Sequence, residues 1–89
     1  MIRRDLKITN RLGLHARATA KLVHELSAFQ SQATLEVRGR EVNAKSIMGV
    51  MLLAAGPGAE VVLRVDGIDE QAAADAVAAL FERGFDENG

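Results

Sequence analysis

Eighty-nine residues, 48% of them hydrophobic, fit a single domain over 1–89, close to the size at which one core is only marginally stabilising. A formal charge of −1 argues against a nucleic-acid protein held by bulk electrostatics, and the absence of Cys excludes a disulfide framework, a thiolate nucleophile and a Cys-type zinc site. The N-terminal MIRRDLK has two arginines but no apolar stretch behind them, and no run approaches the roughly 20 residues needed to cross a bilayer. A cytoplasmic protein without membrane insertion is expected.

Ile2, Leu6 and Ile8 share one parity, with Lys7 and Thr9 on the other, which predicts a strand broken by Asn10 to Gly13. From about Ala16 to Phe29 the positions Thr19, Leu22, Val23, Leu26 and Phe29 recur at helical spacing, with Arg17, Lys21, His24 and Glu25 on a polar face. QATLEVR alternates, Gly39 turns the chain, and EVN returns as a short antiparallel partner. SIMGVMLLAA reads as a helix closed by Gly56, Pro57 and Gly58, and AEVVLRVD supplies another strand. Asp69 is placed to cap a last helix, whose Ala73, Val77, Leu80 and Phe81 face inward and which ends near Gly84; DENG reads as a loose polar tail. The order β-α-β-β-α-β-α predicts an α+β open-faced sandwich, a four-stranded antiparallel sheet with three helices on one face.

His15 stands where the first loop becomes a helix. A lone histidine there has a plain role as a cap or a surface residue. Its surroundings point further: Gly13 allows a tight turn, the first helical turn offers unpartnered N–H groups to an anion, and Arg17 adds a guanidinium. A ring nitrogen so placed is suited to attack a phosphoryl donor. No catalytic carboxylate, metal ligand cluster or cofactor motif is read beside it, and a small carrier can leave those functions to a partner enzyme. His24 reads as a solvated surface residue.

Between Ser46 and Ala59 there is no charged residue. A helix apolar on nearly every side cannot be wholly buried in so small a domain. Val50, Leu53 and Ala54 are assigned inward, which leaves Ile47, Met48 and Met51 as an exposed docking patch. Ser46 precedes the helix as a capping hydroxyl, and a phosphate there would add negative charge beside the patch without unfolding the helix.

GLHARATA resembles the active-site segment of the HPr family, the histidine-containing phosphocarriers of the bacterial phosphoenolpyruvate-dependent phosphotransferase system. VNAKSIMGVMLLAAGPG resembles that family's regulatory-serine segment, and ALFERGFDENG is similar to its nitrogen-related branch, NPr. The resemblance spans nearly the whole chain and implies a carrier that is not itself an enzyme. His15 would be phosphorylated on Nδ1 by Enzyme I, with Arg17 beside the phosphate, and would pass the group to an Enzyme IIA. Ser46 matches the site used by HPr kinase/phosphorylase. Ile47, Met48 and Met51 match the apolar docking surface, and Lys21 is a further partner-binding candidate. A monomer without cofactor or metal is expected. One departure is Ala18, where the family usually has proline; proline suits a first helical turn, so a less rigid turn is expected. The branch, sugar or nitrogen-related, is left open.

Two other classes compete. A regulatory binding module would use the apolar patch and Ser46 without phosphotransfer, and would need neither His15 nor Arg17. A nucleic-acid binder using Arg11, Arg17 and Lys21 would lack stacking platforms, since the chain has no Tyr or Trp and only three Phe.

Overall fold

The computed structural model describes residues 1–87. The chain runs through β1 (Ile2–Lys7), α1 (Ala16–Ser27), β2 (Gln32–Val37), β3 (Arg40–Asn43), α2 (Ile47–Leu52), β4 (Glu60–Asp66), α3 (Glu70–Glu82) and a short 3-10 turn, Gly84–Asp86. The strands form one antiparallel sheet in the order β1-β4-β2-β3. This is the α+β architecture expected from the sequence.

Alternation along the strands decides which face is covered. Leu6 lies opposite Val61, Leu35 opposite Leu63, and Ala33 opposite Val65, so the apolar set of three strands shares one face. The helices cover that face with Ala18, Leu22 and Leu26 from α1, Val50 from α2, and Ala73, Ala74, Val77, Leu80 and Phe81 from α3, all buried. On the open face Glu36 and Glu41 are register partners, and Arg64 donates to both carboxylates, at 2.7 and 3.1 Å, offsetting the like-charge repulsion.

Three local expectations are corrected. α2 stops at Leu52 because Ala54 takes a left-handed conformation, φ 49°, which turns its methyl group outward; Ala55 takes the buried place instead. Asp69 sits at the N-cap position of α3 but makes no capping bond: its carboxylate accepts from the backbone N–H groups of Gln30 and Ser31, both at 2.9 Å, and from the Ser31 hydroxyl. It therefore ties the start of α3 to the chain entering β2. The segment DENG is not loose where it is described: Asp86 closes the 3-10 turn by accepting from Arg83 Nε at 2.8 Å, and Glu87 is half-buried. Residues 88 and 89 of that segment lie outside the described residues.

Gly13 fixes the loop that carries the histidine. Its φ of +66° is left-handed, and a Cβ there would lie 2.5 Å from the Ala55 carbonyl oxygen and 2.8 Å from Gly56 Cα. The neighbouring Leu14 N–H donates to that same Ala55 oxygen at 2.9 Å. The chain leaving α2 is thus a wall against which the loop before α1 is pressed.

Candidate functional site

His15 is the N-cap of α1, with extended backbone, φ −76° and ψ −179°. Its carbonyl closes the first turn by accepting from Thr19 N–H at 2.9 Å, and its ring Nδ1 accepts from Arg17 N–H at 3.3 Å. The capping role is therefore real, filled by an imidazole where serine or aspartate is usual. Ala18 stands in the first turn as a fully buried residue.

The other ring nitrogen, Nε2, is paired with the Glu87 carboxylate. Both contacts select one tautomer. An amide N–H needs an acceptor, so Nδ1 carries the lone pair; a carboxylate accepts, so Nε2 carries the proton. Glu87 is itself held, since Asn10 Nδ2 donates to its Oε1 at 2.9 Å while also donating to the Gly13 carbonyl at 2.8 Å. The Asn10 amide first, then the His15 hydrogen bond and the charge of Arg17, hold the Glu87 carboxyl below its ordinary value.

No carboxylate beside His15 is read from the sequence, and Glu87 corrects that. It is missed because it lies 72 positions away in the segment read as tail. The available signal is Phe85: an aromatic residue in a polar tail marks an anchored segment, and its ring packs on Phe81 at 4.9 Å between centroids with no exposure. Asn10, read as a strand breaker, is missed because the carboxylate it holds is 77 positions away.

The ring faces an open depression of about 840 Å³ lined by Arg11, Leu12, His15, Ala16, Arg17, Lys21, Asp86 and Glu87. His15 and Arg17 are brought together as expected. Lys21 shares the depression but is directed at the tail, donating to the Phe85 carbonyl at 2.7 Å and lying 3.9 Å from Asp86. The first turn of α1 adds the N–H groups of Ala16, Arg17 and Ala18, which have no partners within the helix. Arg11 and Arg17, a helix N-terminus and a nucleophilic nitrogen in an open concavity suit a phosphoryl group.

Ser46 caps α2, its Oγ accepting from Gly49 N–H at 3.0 Å. Ile47, Met48 and Met51 are exposed, Met48 by 78%, and Leu52 at 64% extends the patch beyond the expected set. His24 is exposed, as expected. Among the described residues no helix is long and apolar enough to cross a membrane.

Residues 2–83 match the family model for the phosphotransferase-system HPr component phosphorylation site. The chain belongs to the HPr family. A phosphocarrier protein HPr of Xylella fastidiosa is 59% identical over 99% of both chains. The crystal structure of an HPr from Thermoanaerobacter tengcongensis superposes with a TM-score of 0.96 at 42% identity, covering 100% of both chains. A structure described as an HPr dimer from the same organism gives 0.79 at 44% identity, covering 92% of this chain and 94% of that one. Membership in the HPr family makes this chain a phosphocarrier of the phosphotransferase system, in agreement with the resemblance carried by GLHARATA and VNAKSIMGVMLLAAGPG.

Proposed function

We propose that His15 Nδ1 is the phosphoryl acceptor, taking the group from a phosphohistidine of Enzyme I and passing it to a histidine of an Enzyme IIA. The observation that carries this reading is the position of Nδ1, with its lone pair at the N-terminus of α1 and an amide N–H and the Arg17 side chain beside it. In the step, the Nδ1 lone pair attacks phosphorus, the donor's P–N bond breaks, and the electron pair returns to the donor's ring nitrogen. The Nε2 proton stays on the His15 ring, which becomes a phosphoimidazolium. The Arg17 N–H, released from Nδ1, and the free amides of the first turn then turn to the phosphoryl oxygens, with the Arg17 guanidinium balancing their charge. Donation onward is the same displacement in reverse.

Ile47, Met48 and Met51 dock the partners, with Lys21 at the rim of the phosphoryl depression. Ser46 is the regulatory position, modified by HPr kinase/phosphorylase where the host makes one; its half-buried hydroxyl lies immediately before the patch. The carrier acts as a cytoplasmic monomer, a reading that rests on the family; light scattering at working concentration checks it, and a dimer there would contradict it.

Incubation with Enzyme I and phosphoenolpyruvate, read by intact mass before and after acid, tests the acceptor assignment. One acid-labile phosphoryl group on the wild type and none on His15→Ala is expected. A labelled His15→Ala protein would place the acceptor elsewhere.

A further inference from the structure

Glu87 stands against the ring of His15, a contact that neither the carrier reading nor the docking surface uses. The chain goes to some length to put it there. Gly84, Phe85 and Asp86 are three successive residues with left-handed backbone, φ 61°, 58° and 60°, and two of them carry side chains that disfavour it. The turn is held by burial of Phe85, by Lys21 on its carbonyl, by the Arg83–Asp86 ion pair, and by Glu87 N–H donating to the Gly84 carbonyl at 3.1 Å. Its outcome is a carboxylate with one oxygen on His15 Nε2 and the other on Asn10.

We propose that Glu87 is a positioning residue for His15: it holds the ring in the Nε2–H tautomer, aims the Nδ1 lone pair at the incoming phosphorus, and balances the ring's charge once phosphorylated. The proposal rests on the carrier reading above. Atoms balance as in that step, because the proton stays on Nε2 and Glu87 only accepts its hydrogen bond. A carboxylate on the distal nitrogen of a nucleophilic imidazole acts on the ring through the same pair of contacts that orients a histidine base in hydrolases. Asn10 makes the arrangement stiff, since its amide bridges Glu87 to the loop carbonyl of Gly13. Arg17, which lines the same depression, supplies the charge that meets the phosphoryl oxygens, while Lys21 is held by the tail.

The test compares wild type, Glu87→Gln and Glu87→Ala using two phosphoryl donors, potassium phosphoramidate and Enzyme I with phosphoenolpyruvate. The small donor needs no docking and so reports on the site alone. A loss of roughly fivefold in the rate of uptake is expected for Glu87→Ala with both donors, the upper end of what a half-screened ion pair contributes, with Glu87→Gln between. The proton on His15 Nε2 is expected to exchange slowly in the wild type and to vanish from the spectrum of Glu87→Ala while the backbone amide spectrum keeps its dispersion. Uptake equal to wild type from phosphoramidate would overturn the proposal, and so would a slow-exchanging Nε2 proton that survives the alanine variant. A wild type that accepts from neither donor would instead remove the carrier reading itself.

Discussion

At the scale of single residues, His15 does two things with one nitrogen. Nδ1 caps α1 in the resting protein, and the proposed chemistry takes that same lone pair from the cap to phosphorus, leaving the Arg17 amide free for a phosphoryl oxygen. Arg17 is exposed and has no packing to lose, so Arg17→Ala is expected to keep the fold and slow transfer by about tenfold, a change that single-turnover kinetics would read. An unchanged rate would remove the guanidinium from the site. Glu87 sets a pH window. Its carboxyl is depressed below the ordinary 4.5 by Asn10 foremost, then by His15 and Arg17, so its hold on the tail is complete above 4.5 and is lost as the pH falls through the lower folded value. The side-chain carboxyl resonance of Glu87 should therefore titrate with a midpoint below 4.5, and a midpoint at or above it would contradict the pairing.

At the scale of elements, α2 is a short helix that gives Val50 to the core and leaves Met48 to solvent. Met48→Asp should weaken binding of Enzyme I by about tenfold while changing unfolding free energy by no more than about 0.5 kcal/mol, checked by calorimetry and urea unfolding. A large stability loss would make Met48 part of the core. The loop before α1 is the opposite case. Gly13→Ala requires a Cβ where the Ala55 oxygen stands and a left-handed alanine as well, so a loss of about 2 kcal/mol is expected in urea unfolding, together with displacement of His15. These elements are also the most readable in the sequence. Alternation in β2 and β4 and the 3.6-residue spacing in α1 and α3 are properties of short segments, so the strands, helices and their order follow from them. The end of α2 does not follow, because left-handed Ala54 carries no glycine to announce it. Asp69 misleads for a related reason: a good capping residue is taken by donors 38 and 39 positions away.

At the scale of the whole molecule, the fold brings the turn after α3 to the loop after β1. β1 and β4 pair along their full length, α3 returns across the covered face, and the turn after it delivers Glu87 to the loop that follows β1. His15 and Arg17 are close in sequence, so that half of the site is legible from the residue order alone. Glu87 and Asn10 meet only through the fold, and no local pattern could join them. The same folding gives the protein a division of labour: an open sheet face closed by ion pairs, and a helical side carrying both the histidine and the apolar patch. Nδ1 of His15, and not Nε2, is the atom that carries the phosphoryl group in the proposed mechanism. The most direct test correlates 31P with the imidazole 15N and 1H resonances of the protein phosphorylated by Enzyme I. A single phosphoryl group bonded to His15 Nδ1, with the Nε2 proton still present, is the predicted result; a phosphorus bonded to Nε2, or to any other residue, would contradict it.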